Sequence, residues 1–240
     1  MTASFLAGTS APFSERRLRR PPDMWEQVKA EDVDLLLQRQ FGSALERIGF
    51  EPSSSRRWSR SRVPDIRDLF EVTTLKGATL SPRWGFSLDF APHVTPAGVK
   101  WHRTAKSAMF DVVDDPVDTT RVEDLELSPL FMFTMQGTTH LERAAVASAE
   151  ASLGEATRFW ERVHDEHDLL RVVEMLRARP VVRFGFDNYV QHPVALAFTL
   201  ARVGRVEDAR TELQRAHAYS TGSAAVRSRL DQLLENAAAH

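Results

Sequence analysis

The chain of 240 residues contains no cysteine, which removes disulfides, thiolate nucleophiles and cysteine-ligated metals from consideration. Lysine is nearly absent, standing only at positions 29, 76, 100 and 106, so arginine carries the basic charge. That bias, together with abundant alanine, fits a GC-rich bacterial coding sequence. No apolar run approaches the roughly 20 residues that a membrane-spanning helix needs, the most apolar stretch being residues 130–135. Neither charge sign is in excess, with Lys+Arg 31 against Asp+Glu 33 and a net charge of -2, whereas polyanion-binding domains usually carry a basic surplus. Also missing are a Gly-rich phosphate loop ending in Lys-Ser/Thr, a dinucleotide glycine triplet, a nucleophile elbow and a His-Glu-x-x-His zinc helix. No cofactor is assigned, and no catalytic residue.

What is present is an ordinary globular composition, 42% hydrophobic, sufficient for a core. Phe5 and Leu6 precede Arg16, Arg17, Arg19 and Arg20, the reverse of a secretory signal's order. With Pro12, Pro21 and Pro22 interrupting, residues 1–22 read as a disordered basic tail of a cytoplasmic protein. Then Val33, Leu37, Phe41, Ala44, Leu45 and Ile48 recur every three or four residues, as one buried helical stripe requires. Gly49 and Phe50 supply a Schellman-type ending, and Pro52 to Ser55 read as a turn.

Strand grammar follows. Trp58 sits among arginines over 57–60, Phe70 and Val72 alternate with polar residues over 69–75, and Trp84, Phe86, Leu88 and Phe90 alternate with Gly85, Ser87 and Asp89. Residues 76–83 are read as the connection between the last two, and 99–101 and 110–113 as weaker strands. The fold class is therefore α+β: an antiparallel sheet with a packed N-terminal helix over 23–135, followed by an all-helical region over 136–240.

In that second region, Thr139 with Glu142 and Ser152 with Glu155 have capping-box spacing, which predicts two helices over 141–163 broken near Gly154. A third helix carries Leu169, Val172, Val173 and Leu176 and ends before Pro180; residues 181–186 are read as a short strand. Residues 190–203 and 206–218 form a helical hairpin turned at Gly204, and a last helix runs through Val226, Leu230, Leu233 and Leu234.

Two stretches resemble known families. Residues 196–216 (LAFTLARVGRVEDARTELQRA) resemble one tetratricopeptide-type hairpin, with Gly204 as the turn, Ala209 at the close crossing, and Leu213 and Ala216 on the inner face. One unit is visible where a solenoid needs about three or more, so no peptide-binding residues carry over. Residues 30–115, with Ile48-Gly49-Phe50, Arg57-Trp58, Phe70-Glu71-Val72 and the stretch from Trp84 to Phe90, resemble uncharacterised bacterial proteins of a domain-of-unknown-function type. That resemblance implies a small α+β binding domain, of the partner-binding or immunity kind, and names no site.

Four constellations could carry chemistry. Asp89, His93, His102, Arg103 and Lys106 flank the strongest strand and would converge on a ligand pocket if the chain at Phe90 and Trp101 is adjacent, giving an acid/base imidazole and anchors for a small anion. Asp111, Asp114, Asp115 and Asp118 form an acidic patch, read as an exposed loop that steers a basic protein partner. Glu161, His164 and His167, with Asp165 and Asp168, have the residue types of a divalent metal site, although the bland reading is a solvated helix end. Arg56, Arg57, Arg60 and Arg62 surround Trp58 in the manner of a nucleic-acid contact, against which Trp58 is better placed in the core of an edge strand. The leading expectation is a non-enzymatic protein-interaction module with an unknown protein partner, no nucleic acid and no membrane. The alternative is an enzyme or small-anion binder using Asp89, His93 and His102.

Overall fold

A computed structural model describes residues 29–75, 79–95, 98–115, 138–179, 186, 189 and 191–239. Its first helical stretch comprises α1 (Ala30–Leu37), a π-helical turn (Gln38–Gly42) and α2 (Ser43–Arg47). The chain leaves α2 through Gly49 at φ +87°, where Phe50 N–H reaches Leu45 O (3.0 Å) and Gly49 N–H reaches Glu46 O (3.0 Å). Those two bonds are the Schellman pattern, and the left-handed backbone is open to glycine without a Cβ penalty.

Among the described residues seven strands follow: β1 (Glu51–Ser54), β2 (Arg57–Val63), β3 (Ile66–Leu75), β4 (Thr79–Leu88), β5 (His93–Thr95), β6 (Gly98–Lys100) and β7 (Val112–Asp114). Five form an antiparallel sheet in the order β1-β2-β3-β4-β7, while β5 and β6 make a separate two-stranded ladder. Three sequence expectations change here: residues 79–83, read as part of the connection, open β4, because they pair with residues 71–75 of β3. The Pro52–Ser54 stretch is an edge strand and not a turn, a place where proline's missing N–H faces away from the ladder. Consequently β2, which holds Trp58, is an interior strand.

The register sorts side chains into two faces, because successive residues point to opposite sides. Trp58, Phe70, Trp84 and Asp114 make one cross-strand row, and Arg60, Asp68, Phe86 and Val112 make the next on the same face. This face is covered by helices: Phe41 lies 5.5 Å from Phe70, and Trp160 meets Phe70 edge-on at 6.2 Å. The opposite face carries Arg57, Glu71 and Arg83 in one row and Ser59, Leu69, Gly85 and Val113 in another. There the segment 101–111 packs, with Arg57 donating to Ala108 O (3.0 Å) and Arg83 lying over the Phe110 ring.

The helical region contains α3 (Thr138–Trp160), α4 (Glu166–Ala178), α5 (His192–Arg202), α6 (Val206–Arg215), α7 (His217–Ser220) and α8 (Ala224–Ala238). The expected break at Gly154 does not occur, and α3 runs through it for 23 residues. Ser152 does not cap a new helix: its hydroxyl donates back to Ser148 O (2.6 Å), and burial of Ala145, Ala149, Ala156, Phe159 and Trp160 offsets the roughly 1 kcal/mol a helical glycine costs. The hairpin of α5 and α6 closes at Gly204 (φ +80°) with Ala209 and Leu213 buried, as the spacing predicts. Residues 181–185 and the tail lie outside the described residues. One continuous buried cluster runs from Val33 through the sheet to Leu234, so both regions share a core.

Two features fix how the layers meet. Asp68 is fully buried and binds Arg60 (2.8 Å) and Arg62 (3.3 Å); Arg60 also donates to Ile48 O (2.7 Å), and Arg62 to Trp160 O (2.5 Å) and Val163 O (2.7 Å). The carboxylate thus aims two guanidiniums at the carbonyl ends of α2 and α3. Gly85 is the second feature, since a Cβ there would fall 2.0 Å from Val112 O and 2.8 Å from Val113 Cα.

Asp68→Ala is expected to lower stability by about 3 to 5 kcal/mol in urea unfolding, because it strands two arginines among low-dielectric groups. Gly85→Ala should cost about 3 kcal/mol by pushing β7 off β4, seen as faster amide exchange at Asp111, whose N–H bonds Phe86 O (3.0 Å).

Candidate functional site

At the sheet end where the β2–β3 turn meets the exit of β4, a cavity of about 390 Å³ opens, lined by Asp65, Asp89, Phe90, Trp101, Arg103, Arg202, Leu233, Asn236 and Ala237. The sequence places a Pro-Asp pair between β2 and β3, and Asp65 takes φ +60°, a left-handed conformation that aspartate tolerates better than most residues. Its carbonyl accepts from Asp89 N–H at 2.8 Å, tying the turn to the end of β4.

Arg67 holds both carboxylate oxygens of Asp89 (2.8 and 3.2 Å) and also donates to Arg103 O at 3.4 Å. Arg103 Nε in turn donates to Asp89 O (2.8 Å), and its guanidinium lies 3.8 Å from the Trp101 ring centre. Cation–π stacking and one hydrogen bond therefore orient Arg103. Among the described residues, neither of its Nη groups has a hydrogen-bond or ion-pair partner. Across the cavity, Arg202 sits over Phe90 (5.3 Å) and is already paired with Glu166 (2.6 Å), with Asp65 farther off at 3.5 Å.

The adjacency of Phe90 and Trp101 is present, and Asp89 and Arg103 line the cavity as the sequence reading expects. His93 and His102 do not. Their rings meet edge-to-face at 4.8 Å, and His93 Nδ1 and both nitrogens of His102 are buried without a partner. Burial, then His102, then Lys100 hold the His93 imidazole below its ordinary pKa, so it is neutral near pH 7. Lys106 is exposed in the turn closed by Thr104 and Ser107 and is not part of the wall. Sequence reasoning missed Asp65, Arg202 and the α8 residues, Asp65 lying more than a hundred positions from the others; only Pro64-Asp65 carries a local signal, that of a turn.

The acidic patch is not one exposed loop. Asp111 is buried, with Leu88 N–H donating to its Oδ2 (2.7 Å), and burial, reinforced by the charge of Asp89, pushes its pKa up to about 8. Asp114 is buried too, paired with Arg179 at 2.8 Å, and burial raises its pKa. A fold that closes β7 against β4 turns both carboxylates inward, so neither presents charge to a partner. Asp115 is half-buried, and Asp118 lies outside the described residues.

Residues 161–168 form a helix start: Asp168 N–H donates to Asp165 Oδ1 (2.8 Å) and His164 N–H to Asp168 Oδ2 (2.9 Å), a reciprocal capping pair. Among the described residues no three His, Asp or Glu side chains are grouped to hold a metal ion, and Glu161, His164 and His167 are exposed. The arginines around Trp58 are all engaged, Arg56 with Asp34 (2.5 Å), Arg57 with Glu71 (2.5 Å), and Arg60 and Arg62 with Asp68, while Trp58 is buried. Among the described residues no helix is long and apolar enough to cross a membrane. No family model, curated protein or solved structure matches the chain.

A second buried imidazole has a structural task. His192, at the start of α5, accepts the outward N–H of Val113 on the edge strand β7 (3.0 Å), and burial pushes its pKa down to about 3. An unfolded chain takes a proton on His192 below about 6.5 that the fold refuses, so stability falls as pH drops from there toward 3. Asp111 works the other way: the fold holds a proton between about 3.8 and about 8 that the unfolded chain releases, so stability falls as pH rises. Between about 3.8 and 6.5 the two slopes cancel, leaving the Asp111 loss visible above 6.5. Asp111→Asn is expected to remove an alkaline loss of about 1.4 kcal/mol per pH unit between pH 6.5 and 8, measured as urea midpoints across that range.

Proposed function

We propose that this chain is a non-enzymatic bacterial binding protein of the cytoplasm, and that its cavity at the sheet end takes a small organic anion. The observation that carries this reading is the guanidinium of Arg103, held over Trp101 at 3.8 Å in a cavity of about 390 Å³ with its Nη groups unpaired. The other cations of the region are neutralised, Arg67 by Asp89 and Arg202 by Glu166, so Arg103 is the group with electrostatic capacity left over. A planar guanidinium matches the two oxygens of a carboxylate or phosphate. Phe90, Leu233 and Ala237 supply apolar wall for the rest of such a molecule, the usual composition of a small-molecule site.

A partner-binding or immunity-like role, implied by the resemblance of residues 30–115, has separate support from a groove lined by the first helical stretch and the start of α3. Leu35 is 71% exposed and borders a groove of about 250 Å³ with Asp32, Leu36, Arg39, Leu141 and Glu142. An exposed leucine beside a groove is a foothold for a partner's apolar side chain.

The anion reading is tested by titrating acetate, succinate, citrate and inorganic phosphate by calorimetry. At least one is expected to bind saturably, and Arg103→Ala should weaken it about tenfold or more while the unfolding midpoint stays nearly unchanged, because Arg103 is exposed. Equal binding by the variant would refute the assignment.

A further inference from the structure

We propose that the cavity recognises a zwitterion, a free α-amino acid or dipeptide carrying both an ammonium and a carboxylate; the inference rests on the anion reading above and adds a second, opposite pole. The groups of the cavity divide by whether the fold has already used them. Asp89 is saturated by the two-pronged contact with Arg67, and Arg202 by Glu166. Asp65 is different: its side chain is half exposed, and its ion pair is the long one to Arg202, at 3.5 Å through Oδ2. The turn holds this carboxylate at the cavity wall in a left-handed backbone, fixed by the bond from Asp89 N–H to Asp65 O.

The wall beside it has the same sign preference. Asn236 and Ala237 belong to the C-terminal turn of α8, the end of a helix that carries partial negative charge and favours cations. Arg103, unpaired at its Nη groups, provides the positive pole, and Leu233, Ala237 and Phe90 provide an apolar stretch of wall. A simple anion would use Arg103 and leave the Asp65 carboxylate with only its long contact to Arg202. A molecule with an amine, a short apolar body and a carboxylate uses all three.

The test compares L-leucine and L-leucyl-L-leucine with N-acetyl-L-leucine, which lacks the ammonium, and L-leucinamide, which lacks the carboxylate, by calorimetry on the full chain. L-leucine or its dipeptide is expected to bind about tenfold or more tighter than either blocked analogue, since each loses one charge-assisted contact. Whichever of the two binds tighter identifies the source. Asp65→Asn keeps the turn, because asparagine also tolerates the left-handed region. It should reduce the free-amine ligands to the affinity of N-acetyl-L-leucine without changing the latter. Equal affinity of L-leucine and N-acetyl-L-leucine, or an unaltered preference in Asp65→Asn, would overturn the zwitterion while leaving the anion site standing. Binding of none of these, together with none of the simple anions, would overturn both readings.

Discussion

The buried carboxylate of Asp68 is the constraint on which the rest of the arrangement hangs. A charge removed from water must be compensated locally, and here Arg60 and Arg62 do so from the neighbouring strand. Because each guanidinium has donors to spare, the same two residues also satisfy carbonyls that helices leave open at their C-termini: Ile48 after α2, and Trp160 and Val163 after α3. The sheet and both flanking helices are thereby set in one geometry by a single charge. The effect reaches the cavity. Fixing the end of α3 fixes the capped start of α4, where Glu166 neutralises Arg202, which in turn lies over Phe90 in the cavity wall.

The same economy explains why arginine content is a poor guide to partners here. Residues 56–62 look like a basic stripe with an aromatic in its midst, a composition suited to nucleic acid. In the fold every one of those guanidiniums meets a carboxylate from another strand or helix: Asp34, Glu71 or Asp68. Glu71 alone serves Arg57 and Arg83 on either side of it, in the cross-strand row where the register puts all three. A near-zero net charge carries this information in summed form, since 31 basic and 33 acidic residues are nearly matched and free to pair off.

What was legible in the sequence was whatever short-range periodicity encodes. The alternation from Trp84 to Leu88, the stripe from Val33 to Leu45 and the Gly49 and Gly204 endings all specify local geometry, and the structure has them. The edge strand at Pro52 was not legible, because its pairing is decided by β2 and not by its own residues. Nor was the unbroken α3, in which packing against the sheet overrides a glycine. Asp111 and Asp114 mislead for the same reason: four aspartates in eight positions read as solvated, yet closure of β7 onto β4 buries two of them, and one is then satisfied by a backbone N–H and the other by Arg179. The part of the cavity contributed by Asp89, Phe90, Trp101 and Arg103 could be read from the sequence; the part from Asp65, Arg202 and α8 exists only once the chain has folded.

The two histidines show how function separates from residue type. His93 and His102 have the chemistry of a site, but their rings meet edge-to-face outside the cavity lining, and three of their four nitrogens are buried without a partner. His192 has the same chemistry and spends it on an edge-strand N–H, closing a ladder that would otherwise be open to another chain. Of the three, only His192 serves the fold as a hydrogen-bond acceptor among the described residues. For the ligand proposed above, the groups left available among the described residues are the Nη groups of Arg103 and the carboxylate of Asp65, which Arg202 holds only at 3.5 Å. Both are fixed by backbone bonds to the same residue, Asp89, whose own charge Arg67 has already cancelled. The proposed dipolar ligand would thus meet two poles that are both tied to the backbone of residue 89.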